Sequence, residues 1–147
     1  MQKKTWMLIA DASKARLYAF HKALLFKEPL PKHLDLIGEF LHPQSRMKGI
    51  DLETDKMGSY GRGAYAEPTL PKAHEADEFA AQLSHQLEDA RKQESYQDII
   101  LVAPASFMGL LQKHMTTETH KLVSKTIEKN YTYQHDQEFL KNLLDAL

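Results

Sequence analysis

Three side chains with acid–base or metal-binding chemistry stand where the predicted elements end. Asp11 follows the first apolar stretch, and His42 and His74 flank a long irregular one. Carboxylates and imidazoles act as general acids, general bases and metal ligands. An enzyme acting on a phosphorylated or acyl ester would use these three if the fold brought them together. The competing interpretation is that Asp11 fixes the Asp-Ala-Ser turn and that the histidines are ordinary surface or capping residues.

The sequence contains no complete catalytic motif. His74-Glu75 begins like the helix of a zinc protease, but that motif needs a second histidine four residues after the first, and position 78 is Glu. No Gly-x-Ser-x-Gly elbow is present, and the chain has no cysteine to act as a nucleophile or zinc ligand. A two-metal nuclease needs several convergent carboxylates, of which only Asp11 is suitably placed. We therefore expect no catalytic residue, no metal ion and no cofactor.

The stretch 42–70 has no helix or strand periodicity, and irregular stretches of this length are usually functional or disordered. Its glycines let the backbone bend and approach a partner closely. Its basic and aromatic side chains are interleaved, a composition that suits phosphate pairing and base stacking. The basic and aromatic residues are Arg46, Lys48, Lys56, Tyr60, Arg62 and Tyr65. The alternative is a solvated loop without a ligand.

Charge is nearly balanced over the 147 residues, with a net charge of −1, so the whole chain is not a polycation. It is unevenly distributed, however. Residues 1–72 carry twelve basic and eight acidic side chains, whereas 73–96 carry two basic and six acidic ones. A polyanion, if one binds, should therefore approach residues 1–72.

Targeting signals are not evident in the sequence. Asp11 interrupts the first apolar stretch, which argues against a signal peptide, and no apolar run approaches the roughly 20 residues of a membrane span. We expect a cytoplasmic protein without membrane insertion.

Length and periodicity predict one domain over residues 1–147 with an α/β fold. Strands are expected at 5–10, 15–21, 34–41 and 99–103, with a short edge strand at 131–133. Helices are expected from Pro71, from Pro104, from Thr116 or Thr117 through Ile127, and at 139–147. Three antiparallel N-terminal strands followed by a helix crossover to a buried central strand predict a mixed sheet of ribonuclease H-like topology, with helices packed on it.

Three separated groups of motifs resemble a known family. The first is WMLIADASKARLY at 6–18, and the last covers LVAP at 101–104 and FMGLL at 107–111. The central group consists of residues 42–46, 55–58, 67–68, 71–75 and 79–80. On these residues the chain is similar to the bacterial host attachment protein family over nearly its whole length.

That family resembles the middle domain of archaeal and eukaryotic peptide-chain release factors, which presents a Gly-Gly-Gln loop to peptidyl-tRNA. Here the corresponding stretch reads Gly-Arg-Gly-Ala at 61–64, and its only glutamine is Gln44, so the catalytic motif is absent. The resemblance implies a module that contacts tRNA or the ribosome through 42–70. Together with the composition of this stretch, it predicts as binding residues Asp11, His42, Ser45, Arg46, Asp55, Lys56, Gly58, Gly61, Arg62, Gly63 and His74.

Within that set, the basic side chains would pair with phosphates and the two histidines would hold the base of the stretch. Two alternatives remain open. One is the ester hydrolase based on Asp11, His42 and His74. The other is a protein-interaction module acting through the C-terminal helix, for which a homodimer burying the apolar face of that helix is one form. The face consists of Phe139, Leu143 and Leu147.

Overall fold

A computed structural model describes residues 4–42, 69–134 and 136–146 of the protein. The N-terminal part forms β1 (Thr5–Ala10), β2 (Lys14–Phe20), helix α1 (Lys22–Lys27), a short 3-10 helix (Pro31–His33) and β3 (Asp35–Leu41). The C-terminal part forms α2 (Thr69–Lys92), β4 (Asp98–Val102), α3 (Ala105–His114), α4 (Thr117–Lys121), β5 (Val123–Ile127) and α5 (Asp136–Ala146).

The five strands form one mixed sheet in the order β3-β2-β1-β4-β5. Strand β2 is antiparallel to β1 and β3, while β4 is parallel to β1 and β5. The neighbouring strands β1 and β4 are almost entirely buried, as expected for apolar strands covered on both faces. This arrangement confirms the predicted α/β class, with three antiparallel N-terminal strands and a helix crossover to a central strand.

Each face of the sheet has its own apolar core, because successive side chains of a strand point to opposite faces. The core beneath α2 and α3 contains Leu8, Leu17, Leu83, Leu101, Phe79 and Phe107. The core beneath α1 and α5 contains Met7, Ile9, Tyr18, Phe20, Leu25, Phe139 and Leu143. The turn at 131–134, which leads into α5, therefore lies on the same side of the sheet as Tyr18.

The apolar face of α5 belongs to this second core. Phe139 and Leu143 are fully buried within the chain's own fold, so these side chains are already covered and do not offer the dimer surface considered above. Leu147 lies outside the described residues.

Two predicted elements differ in the structure. The helix expected through Ile127 ends at Lys121, and residues 123–127 instead form β5. Thr116 caps the short helix by accepting a hydrogen bond from the N–H of Thr119 at 3.1 Å. The following β-branched residues then pair with β4. The edge strand expected at 131–133 is a turn, in which Asn130 Oδ1 accepts a hydrogen bond from the N–H of Thr132 at 3.0 Å.

Candidate binding site at the sheet edge

The carboxyl ends of the parallel strands β1, β4 and β5 share one edge of the sheet, and β2 begins and β3 ends there. We call this the carboxyl edge. In the β2–β3 register Lys14 lies opposite Leu41, so the chain leaves β3 for residues 43–68 at this edge. Ligands of open α/β sheets commonly bind at the carboxyl ends of the strands. The carboxyl edge is therefore the expected position of a ligand site.

Asp11 connects two turns at the carboxyl edge. Its Oδ1 accepts hydrogen bonds from the N–H groups of Ser13 at 2.8 Å and Lys14 at 2.9 Å. Its Oδ2 accepts a hydrogen bond from the hydroxyl of Thr132 at 2.7 Å. The residue is only 8% exposed. Both carboxylate oxygens are thus engaged by the protein, in the turn-fixing arrangement predicted as an alternative to acid–base chemistry.

The two histidines have different surroundings. His42 is 3% exposed and its ring meets that of Phe79 edge-on, with centroids 5.5 Å apart. Its backbone N–H donates to the carbonyl of Ser13 at 3.0 Å, which ties the end of β3 to the first turn. The side chain of His74 is 70% exposed on α2, and its Nε2 lies 3.3 Å from Glu78 Oε2. Asp11, His42 and His74 thus have separate partners rather than one shared cluster.

Metal-binding geometry is likewise not found in the described part of the chain, where no three His, Asp or Glu residues are grouped to hold an ion. Eight of the predicted binding residues lie outside the described residues. They are Ser45, Arg46, Asp55, Lys56, Gly58, Gly61, Arg62 and Gly63.

A pocket of about 480 Å³ opens at the carboxyl edge beside the Asp11 turn. It is lined by Lys14, Ala15, Arg16, Glu39, Phe40, Leu41 and Thr132. Lys14 and Arg16 share a face of β2 because they are two residues apart, and Glu39 lies opposite Arg16 on β3. The pocket therefore combines two cations, one carboxylate and the apolar side chain of Leu41.

The Arg16 side chain is only partly satisfied by the protein. Its Nη2 donates to the carbonyl of Tyr131 at 3.0 Å. Its Nε is buried and has no hydrogen-bond acceptor among the described residues. Over the same ranges, the ion pairs within 4.0 Å do not include a carboxylate partner for this guanidinium. The rings of Tyr18 and Phe139 lie 5.7 and 5.9 Å from its Cζ.

Lys14 extends the cationic surface out of the pocket. Its Nζ lies 3.9 Å from the centroid of the Tyr133 ring, within the range of a cation–π interaction. Tyr133 is 73% exposed. A solvent-facing aromatic ring thus stands next to an ammonium group at the mouth of the pocket.

Sequence reasoning missed this pocket for a clear reason. The alternation in β2 already places Arg16 and Tyr18 on one face, but the bond from Arg16 to Tyr131 spans 115 positions and the bond between Asp11 and Thr132 spans 121. Only the packing of the 131–134 turn against β2 encloses the space. A basic residue alternating with aromatic residues in a predicted strand is the one local signal that pointed here.

A family model described as "Protein required for attachment to host cells" matches residues 6–143. No curated protein matches the chain. None of the helices within 4–42, 69–134 and 136–146 is both long and apolar enough to cross a lipid bilayer.

Proposed function

The chain belongs to the family described as "Protein required for attachment to host cells", and from that premise we propose that it is an RNA-binding module. It contacts tRNA or the ribosome through the carboxyl edge and the stretch 42–70, in the manner of the release-factor middle domain that the family resembles. Because RNA and ribosomes lie inside the cell, the proposal includes a cytoplasmic location. The contribution to attachment is then indirect.

The observation that carries this proposal is the exposed Tyr133 ring with the Lys14 ammonium 3.9 Å from its centroid. Proteins that bind single-stranded nucleic acid combine aromatic rings, on which bases stack, with cations that pair with phosphates. Lys14 covers one face of the ring. A base that stacks on the other face brings its phosphate within reach of the Lys14 charge.

The stretch 42–70 begins at the same edge, which adds a second support. β3 ends at Leu41, and the buried His42 is tied to the β1–β2 turn. The cations Arg46, Lys56 and Arg62 follow within 20 residues of this point. The proposal gives them the phosphate contacts on either side of the base that stacks on Tyr133.

Salt titration of the full chain with tRNA and with ribosomes tests the proposal. If about three phosphates are neutralised, the logarithm of the affinity should fall with a slope of about −2 against the logarithm of the salt concentration. Tyr133→Ala should weaken binding, because stacking contributes about 1–3 kcal/mol per base. Phe26→Ala is the matched control, since this exposed aromatic lies in α1, beyond the opposite end of β2.

A second arm replaces Arg46, Lys56 and Arg62 with Gln and should remove most of the salt dependence, leaving the part that Lys14 contributes. Its control replaces three exposed lysines outside the edge: Lys27, Lys92 and Lys125. Binding that is undetectable or independent of salt would overturn the proposal, as would an equal loss in both triple variants.

A further inference from the structure

We infer that the pocket between β2, β3 and the 131–134 turn binds a nucleoside monophosphate group, with the phosphate held by Arg16 and Lys14. This inference goes beyond RNA binding as such, because it assigns a defined chemical group to one pocket. It also rests on a different side chain, Arg16, and on pocket geometry that Tyr133 does not supply. It remains testable if the stretch 42–70 binds nothing.

The Arg16 charge lacks a counter-charge among the described residues. A guanidinium has five N–H donors and stays charged at any relevant pH. Within the described residues, its one hydrogen bond runs from Nη2 to the Tyr131 carbonyl, its other contacts are with the rings of Tyr18 and Phe139, and Nε is buried without an acceptor. A half-buried cation without a carboxylate partner costs free energy unless something else supplies the counter-charge. An anion in the pocket that Arg16 lines would supply it.

A phosphate monoester is the group that best fits the two cations of the pocket. Lys14 lines the same pocket two residues before Arg16. A phosphate monoester carries between one and two negative charges at neutral pH and has three strong acceptor oxygens. It can therefore accept hydrogen bonds from a guanidinium and an ammonium at the same time, and charge-assisted bonds of this kind are the strongest that proteins form.

The other lining residues and the volume of the pocket indicate the rest of the ligand. Glu39 lies opposite Arg16 in the β2–β3 register and is exposed, so its carboxylate is available to accept hydrogen bonds from hydroxyl groups. Leu41 lies opposite Lys14 and adds an apolar side chain to the pocket, and the volume of about 480 Å³ lies within the usual range for small-molecule sites. A phosphate, ribose hydroxyls and a flat base match these three parts of the pocket.

One chemical group can come from two sources: a free nucleotide, or the phosphorylated 5′ end of an RNA chain. Isothermal titration calorimetry on the full chain distinguishes them with four probes. The probes are AMP, adenosine, a 5′-phosphorylated RNA trinucleotide and the same trinucleotide without that phosphate. AMP or the phosphorylated trinucleotide should bind, and each unphosphorylated partner should bind at least about tenfold more weakly.

Variants connect the binding to the named side chains. Arg16→Gln should weaken binding of the phosphorylated probe at least about tenfold, and Arg16→Lys should retain part of the affinity because it keeps the charge but not the planar donors. Lys14→Gln is the second variant, because Lys14 lines the same pocket. Lys27→Gln, an exposed lysine in α1, is the control and should bind as the unaltered protein does. Thermal unfolding confirms that each variant is folded.

Tighter binding of AMP assigns the pocket to a free nucleotide, and tighter binding of the phosphorylated trinucleotide assigns it to an RNA end. The inference is overturned if neither phosphorylated probe binds, if the unphosphorylated probes bind equally well, or if the folded Arg16 and Lys14 variants bind normally. Failure of RNA binding is separate, because Tyr133→Ala should weaken tRNA binding while leaving AMP binding within about twofold.

Discussion

Two polar clusters in this molecule differ in whether their charged side chains have partners within the protein. At the junction of α2 and α4, the Glu88 carboxylate accepts hydrogen bonds from Arg91 Nε at 2.9 Å and Nη2 at 2.8 Å. It also accepts bonds from the hydroxyls of Thr116 at 2.8 Å and Thr119 at 2.5 Å. These donors, Arg91 first among them, hold the pKa of Glu88 well below its usual value.

At the carboxyl edge, by contrast, the Arg16 guanidinium has a single protein acceptor and a buried Nε without one in the described residues. The Glu88 cluster is closed, since each of its charges has a partner within the chain. In the Arg16 pocket, the guanidinium has no carboxylate partner among the described residues. Buried polar groups are normally hydrogen-bonded, and an exception calls for a specific explanation. The difference indicates that the first cluster joins secondary-structure elements and that the second is prepared for a ligand.

Thr119→Val should have the largest effect on stability. Thr119 is fully buried and Val has the same shape, so the substitution mainly removes the hydroxyl that donates to Glu88. Losing a hydrogen bond to a charged group should lower the free energy of unfolding by about 1.5–3 kcal/mol, measured in urea. Thr126→Val on the exposed side of β5 is the control. Equal stability of the two variants would show that the Glu88 cluster does not join the helices.

Acid should weaken the closed cluster specifically. Because the folded pKa of Glu88 is lowered, its contribution to stability is complete above the unfolded pKa and is lost as the pH falls from about 5 toward the folded value. Glu88→Gln should therefore be less stable than the unaltered protein at pH 7 but lose less stability on acidification. Urea unfolding at both ends of that range measures this. An unchanged pH profile in Glu88→Gln would contradict it, and Glu128→Gln is the exposed control.

A second carboxylate contributes to the same pH range. Burial raises the pKa of Asp98, but hydrogen bonds from Lys22 at 2.8 Å and Thr5 at 2.7 Å outweigh that effect and lower it. The residual acid sensitivity of Glu88→Gln should therefore not be zero. The stability that Glu88→Gln still loses on acidification measures the contribution of Asp98, and the difference from the unaltered protein measures that of Glu88.

Arg16→Met should have the smallest effect on stability. Replacing a poorly paired charge by an apolar side chain of similar length removes one hydrogen bond and also the cost of holding the charge, so the free energy of unfolding should change by about 1 kcal/mol or less. Urea unfolding measures it. A loss as large as that of Thr119→Val would mean that Arg16 is a structural residue, and the comparison between the two clusters would fail.

Most of the element order could be predicted from local patterns, because strand alternation and helical spacing depend on neighbours within a few residues. The apolar face of α2 is an example: Phe79, Leu83 and Leu87 are buried as their spacing predicts. The error at β5 has the same origin. Residues 116–127 are compatible with a helix when considered alone, and only their pairing with β4 makes the last five a strand.

The candidate site likewise contains local contacts that the sequence determines and long-range contacts that only the tertiary structure determines. The sequence alone determined the Asp11 turn, since its bonds reach only two and three residues along the chain. It also determined that Arg16 and Tyr18 share a face of β2, whereas the structure shows that β2 begins one residue earlier and includes Lys14. Tertiary structure alone decided that the 131–134 turn encloses that face and that the Arg16 charge lacks a carboxylate partner among the described residues. The physical reason is range: backbone geometry sets contacts between near neighbours, whereas packing on a shared sheet sets contacts more than a hundred residues apart.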